Sequence, residues 1–156
     1  SMEKSLIIIK PSGLQRGLAG NVIERFQRKG LQINGIKMMQ LDEAILRSHY
    51  AHLTDRPFFP LILKSMMASP VIVMVLSGED AISVIRDMTG ATNGRKAAPG
   101  TIRGDFSMSG QENIIHASDS AESAVAEIAR FFKPDEIFDY KPAHIEYLYA
   151  DDEITE

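Results

Sequence analysis

The chain has 156 residues, an ordinary length for one domain, and its 44% apolar and 24% charged residues are globular in proportion, which excludes disordered, collagen-like and coiled-coil readings. Lys and Arg number 17 against 21 Asp and Glu, a net charge of −4, so general binding to nucleic acid or to an anionic membrane is not expected and any anion site must be local. Cysteine is absent, which removes disulfide frameworks and thiolate metal sites, and no apolar run nears the roughly 20 residues that cross a bilayer.

Ser1 ahead of Met2 reads as a residue left by tag removal, so one domain is counted over residues 2–156. Ser5 to Lys10 is a continuous apolar run ended by Pro11, the pattern of a strand with neighbours on both sides. Asn21 to Lys29 is helical, with Val22, Ile23 and Phe26 on one stripe, Asn21 and Glu24 spaced as a capping box, and Gly30 at the end. Leu31 to Leu41 alternates, slips phase at Gly35 and resumes at Ile36 and Met38, as an edge strand with a bulge would. Two helical stretches, Glu43 to Leu53 and Phe59 to Met67, flank Asp55-Arg56-Pro57. Val71 to Leu76 is a second unalternating strand, and Asp80 to Thr89 a helix with Ala81, Ile82, Ile85 and Met88 on its face and Arg86 off it. Thr92 to Gln111 is a long glycine-rich stretch without periodicity, and loops of that length in compact domains are usually functional. Asn113-Ile114-Ile115 is a short strand, and Ser120 to Phe132 a helix capped by Asp119 or Ser120, with Ala121, Ala124, Val125, Ile128 and Phe131 or Phe132 on its apolar stripe. The acidic residues 150–156 read as a frayed tail.

The order β-α-β-(αα)-β-α-β is the split βαβ, ferredoxin-like pattern. The fold class expected is α+β, a ferredoxin-like βαββαβ unit. Its four-stranded antiparallel sheet would have the first and third strands central, helices on one face, and extra helices between strands 2 and 3. The apolar edge Ile36 to Leu41 and the segment Ile145 to Tyr149 predict self-association.

Neither G-x-x-x-x-G-K-[ST] nor G-x-G-x-x-G occurs, so a bound nucleotide would not be held in the Walker or Rossmann manner. Of the four histidines, His49 and His52 lie three apart on a helix without an evident third metal ligand, and are read as surface or packing residues. His144, in a proline-flanked segment, is read as structural. His116 closes a short strand just before a helix amino terminus, where anions are favoured and an imidazole can act as nucleophile or acid-base group. Position alone leaves a buried structural role equally open. Lys10, Arg86 and Arg103 could converge there, although each alone is more often a solvated charge.

Five segments stand out: Ile8-Ile9-Lys10-Pro11-Ser12-Gly13-Leu14-Gln15-Arg16-Gly17, His49-Tyr50, Asp55-Arg56-Pro57-Phe58-Phe59, Pro99-Gly100-Thr101-Ile102-Arg103-Gly104-Asp105-Phe106 and Asn113-Ile114-Ile115-His116-Ala117-Ser118-Asp119-Ser120. In order and spacing, from about residue 4 to residue 149, they resemble the signatures of nucleoside diphosphate kinases. The resemblance implies ping-pong transfer of a γ-phosphoryl group from a nucleoside triphosphate to a nucleoside diphosphate, through a phosphohistidine on His116. It implies that Glu127 orients the imidazole, with Ser118 a catalytic-site serine near it, and that Lys10, Tyr50, Arg86, Thr92, Arg103 and Asn113 contact phosphates and sugar. Phe58, otherwise read as core, would stack on the base. Mg²⁺ carried by the nucleotide phosphates and a homohexamer or homotetramer are implied too, while a cytoplasmic location is expected from the absence of a targeting signal alone.

Three positions depart from the family pattern: Ala117 for glycine, Leu53 where some members have histidine, and Gly94 for proline. The last is expected to loosen the loop, so that Gly94→Pro would stabilise it without loss of activity. The rival reading, a ferredoxin-like RNA- or protein-binding module, is disfavoured because Leu6 to Ile9 and Val71 to Leu76 carry no aromatics to stack bases.

Overall fold

The computed structural model describes residues 1–154. Its sheet has four strands in the order β2-β3-β1-β4. They are β1 (Met2–Ile9), β2 (Gln32–Met39), β3 (Val71–Glu79) and β4 (Ile115–Ala117). β1 and β3 pair antiparallel along their whole length, from Met2 opposite Glu79 to Ile9 opposite Ile72. β4 adds to β1 at Ile7–Ile9 and β2 adds to β3, both antiparallel, so the first and third strands are central as expected.

Both faces of the central strands are buried, which explains why their sequences do not alternate. On one face Ile7, Ile9, Met74 and Leu76 pack with Val22 and Phe26 of α2 (Ala19–Lys29) and Ala81 and Ile85 of α5 (Ala81–Thr89). These are the two helices of the ferredoxin-like unit. On the other face Leu6, Ile8, Val73 and Val75 meet Leu46 of α3 (Glu43–His49), Met66 of α4 (Phe59–Met66) and Phe131 of α7 (Ala121–Phe131). The added helices therefore cover the side that would otherwise be open.

The β2 register shifts between Ile33 and Gly35, where the bulge was expected. A Cβ at Gly35 would lie 3.1 Å from the Glu136 carbonyl and the Phe132 ring, so glycine there admits the chain that follows α7. Beyond the bulge Ile36 and Met38 are 49% and 61% exposed, leaving an apolar stripe on an edge strand.

Several local expectations change. α2 starts at Ala19 behind Leu18 without a side-chain cap, so the Asn21–Glu24 box does not form. α7 is capped by Ser120, whose Oγ accepts from Ser123 N, but Val125 is 72% exposed and leaves the core stripe, while Phe131 and Phe132 are both buried. Pro11 opens a short helix, α1 (Pro11–Gln15), a position where its missing N–H costs nothing. The long loop holds α6 (Ile102–Phe106), capped by Thr101. Gly94 is built into that loop: its N–H donates to Ser109 O at 3.0 Å, and a Cβ would lie 2.3 Å from Ser107 O. Proline would remove the donor and collide, so the expected stabilisation by Gly94→Pro is overturned.

His52 and His144 are exposed. A last helix, α8 (Ile145–Leu148), precedes Tyr149, whose hydroxyl accepts from Glu79 N at 2.9 Å, and a turn spans Asp151–Glu153. The tail expected to fray thus carries local structure through 153, and its last two residues lie outside the described ones.

Candidate active site

Lys10 directly follows β1 and β4 carries His116 on the neighbouring strand, so adjacent strands place two chemically active side chains. The approach to β4 is strained: Ile114, β-branched and fully buried, has φ +75°, and Ile115 N–H donates to Asn113 O at 2.8 Å in a γ-turn. Arg103 clamps this turn, its Nε and Nη2 donating to Asn113 O at 3.3 Å and Ile115 O at 2.7 Å, while Nη1 reaches Gly90 O at 3.0 Å. Three of its five N–H groups are so engaged, and two remain for a ligand. Burial, with Arg86 nearby, pulls its pKa down to about 10.

His116 Nε2 lies 2.8 Å from Glu127 Oε1 on α7. An ionised carboxylate only accepts, so Nε2 carries the proton and Nδ1 keeps the lone pair. Ser118 Oγ, fully buried, donates to the same Oε1 at 2.8 Å and accepts from Leu6 N at 3.0 Å. Burial would raise the Glu127 pKa, but the hydrogen bond and charge of His116 and the hydrogen bond of Ser118 outweigh it and hold the carboxyl below its ordinary range.

The residues around His116 line a cleft of about 270 Å³: Lys10, Tyr50, Arg86, Thr92, Arg103 and Asn113, with Glu127 at its side. The other wall carboxylate is Asp119, which accepts from Ser123 Oγ. Burial, and Arg103 nearby, draws the Lys10 pKa down to about 8. Lys10 Nζ donates to Asn113 Oδ1 at 2.7 Å, and Asn113 Nδ2 donates to Thr92 O at 2.9 Å. Asn113 thus ties the lysine to the loop. Burial pushes the Tyr50 hydroxyl up to about 12.

A second cleft, about 320 Å³, shares Lys10, Tyr50, Leu53, Thr92 and Asn113 with the first and continues to Phe58 and Ile62. Phe58 is 40% exposed in its wall, while Phe59 is buried. Sequence pattern alone misassigned Phe58 to the core. The ten site residues expected are therefore gathered at one place, with Ser118 behind the wall rather than in it.

One residue assigned only a packing role also belongs here. His49 is buried, and its ring centroid is 4.7 Å from that of His116. A histidine at the end of an amphipathic helix carries no signal for such proximity, because α3 reaches β4 only through tertiary packing.

A ferredoxin-like sheet presenting a carboxylate-oriented histidine in a cationic cleft, beside a cleft with an aromatic wall, describes a phosphotransferase that works on nucleotides. The nucleoside diphosphate kinase family profile matches residues 3–137. A nucleoside diphosphate kinase of Parabacteroides distasonis is 57% identical over 152 residues, covering 97% of this chain and 99% of its own. Nucleoside diphosphate kinase B of Bos taurus is 46% identical over 147 residues, covering 94% and 97%. Among solved structures, a halophilic nucleoside diphosphate kinase from Halobacterium salinarum in complex with CDP superposes with a TM-score of 0.92 at 39% identity, covering 96% of this chain and 99% of that one. The chain belongs to the nucleoside diphosphate kinase family, and it is an enzyme that transfers phosphate between nucleotides.

Proposed function

We propose that transfer runs in two half-reactions through His116. The Nδ1 lone pair attacks the γ-phosphorus of a nucleoside triphosphate; the N–P bond forms as the bond to the β–γ bridging oxygen breaks, and that oxygen leaves with the electron pair on the nucleoside diphosphate. A terminal oxygen of a second nucleoside diphosphate then attacks the same phosphorus, and the N–P electron pair returns to Nδ1. The observation that carries this reading is the 2.8 Å contact of Nε2 with Glu127, which leaves Nδ1 as the free nucleophile.

Glu127 and Ser118 orient the ring in both steps. Lys10, Arg86 and the two uncommitted N–H groups of Arg103 offset charge on the transferring oxygens, and Thr92 and Tyr50 add donors. Asn113 holds Lys10 in place, and Phe58 takes a base on its face; the halophilic relative's CDP is a ligand of that type.

Mg²⁺ fits this wall as an ion brought by the phosphates rather than caged by protein. Asp119 is the exposed carboxylate of that wall, and its oxygen not bonded to Ser123 would meet the ion's shell of waters. When bound, the ion neutralises phosphate charge.

A symmetric homo-oligomer, a hexamer or a tetramer, is part of the proposal, and self-association is supported by the exposed apolar stripe of Ile36 and Met38. So are one domain over 2–156 and a cytoplasmic location.

Incubation with γ-labelled ATP and no acceptor should leave an acid-labile, alkali-stable label on the protein, which ADP then removes. Labelling of His116→Ala at the wild-type level would refute the assignment.

A further inference from the structure

His49 plays no part in the transfer just described, yet the fold holds it against the nucleophile. It is 8% exposed at the end of α3. Its ring meets that of His116 edge to face, at 4.7 Å between centroids and 80° between planes. Tyr50 and Phe131 hold it on other sides at 4.8 Å and 5.2 Å, also edge to face. Its Nδ1 lies 3.0 Å from Arg130 Nη1 on α7, and Arg130 Nε donates to Ser48 Oγ at 3.0 Å. A guanidinium has no lone pair, so Nδ1 must be the acceptor and the neutral ring carries its proton on Nε2.

We propose that His49 is a positioning residue for His116: a neutral ring, locked in one tautomer by Arg130, whose edge-to-face contact holds the His116 ring plane while Glu127 holds Nε2. This rests on the reading of His116 as the phosphoryl acceptor. One hydrogen bond at Nε2 and the tether at Cβ still let the ring plane rock about the line between them. A second contact on the ring removes this freedom and keeps the Nδ1 lone pair aimed at phosphorus, where small misplacements cost much rate.

The charges around His49 support the neutral form. It faces His116 on β4, Glu127 and Arg130 on α7 and Lys10 after β1, with Tyr50 next to it in the chain. Burial first, then His116, Arg130 and Lys10, hold its pKa at about 3 against the opposing pull of Glu127. It therefore does not compete with His116 for the Glu127 carboxylate.

The same three groups, His49, His116 and Glu127, offer ligand atoms within 4.8 Å of one another and resemble a metal centre. Arg130 argues otherwise, because it already uses the Nδ1 lone pair, and the resulting tautomer presents an N–H at Nε2 where a metal needs a lone pair.

The test is rapid-quench measurement of phosphoenzyme formation from ATP, with ADP affinity measured separately, in the wild type, His49→Ala, His49→Phe and Arg130→Gln. His49→Ala should slow formation by about 10- to 100-fold with ADP affinity changed less than about threefold, and His49→Phe should recover most of the rate. Nitrogen-15 NMR of the wild type should show His49 protonated at Nε2, bare at Nδ1 and not titrating between about pH 5.5 and 8. A wild-type rate in His49→Ala, a loss that lies wholly in ADP affinity, or His49→Phe as slow as His49→Ala would overturn the proposal. So would a wild-type His49 that titrates in that range. Should His49→Ala fail to fold, Arg130→Gln keeps the ring: slower formation with mixed His49 tautomers supports the proposal, and an unchanged rate with an unchanged tautomer defeats it. Absence of label on wild-type His116 would instead be a failure of the phosphohistidine reading.

Discussion

Ser118 joins the stability of the sheet to the orientation of the nucleophile, and Ser118→Ala separates the two. Its Oγ donates to Glu127 and accepts from Leu6 N, inside a wholly buried site. Alanine removes a hydrogen bond to a charged group, worth about 1.5–3 kcal/mol, and orphans a buried N–H, which costs about 1–3 kcal/mol. One atom makes both bonds, so the two do not simply add, and a loss of about 3 kcal/mol is expected. For a chain of this size that lowers Tm by roughly 6–12 °C. Urea unfolding at one fixed protein concentration should show a lowered midpoint with an unchanged slope. Ser120→Ala is the control: it loses the cap bond from Ser123 N–H and an exposed hydroxyl bond to Ser123 Oγ, together worth about 1 kcal/mol. Phosphotransfer should fall by only several-fold in Ser118→Ala, because Glu127 keeps its bond to His116. A urea midpoint for Ser118→Ala equal to that of the wild type or of Ser120→Ala would refute the reasoning.

Gly94→Pro should lower the urea midpoint by the equivalent of about 2 kcal/mol, since it loses the bond to Ser109 O and brings a ring against Ser107 O; a raised midpoint would contradict the packing seen. Lys10 is charged below about pH 8 and neutral above it, so the KM for nucleotides should rise as pH passes upward through about 8, and Lys10→Met should abolish that rise; a KM flat to pH 9.5 would place the charge elsewhere. Phe58→Ala should raise KM by about tenfold for purine and pyrimidine nucleotides alike, because stacking is worth about 1–3 kcal/mol per base whatever its edge; a loss confined to one base would mean that the base edge is read.

Much of this architecture is local information. The unalternating runs at Leu6 to Ile9 and Val71 to Leu76 mark strands buried on both faces, and the phase slip at Gly35 marks the bulge, because side-chain period reports burial directly. His116 before a helix start was legible as a candidate nucleophile for a similar reason, and the motif resemblance pointed to Glu127, eleven residues away, before any contact was known. Other features depend on which segments meet. Gly94 has no positive φ to betray it, and its need for glycine comes from Ser107, thirteen residues on. Val125 sits on a helical stripe that no partner covers, and Phe58 opens into a cleft while its neighbour Phe59 is buried. His49 and Arg130 are 81 residues apart, and only the packing of α3 and α7 on the same face of the sheet sets one against the other, with His49 against His116. Periodicity records how far each side chain is removed from water, but not which partner removes it, and the chemistry of this cleft is a matter of partners.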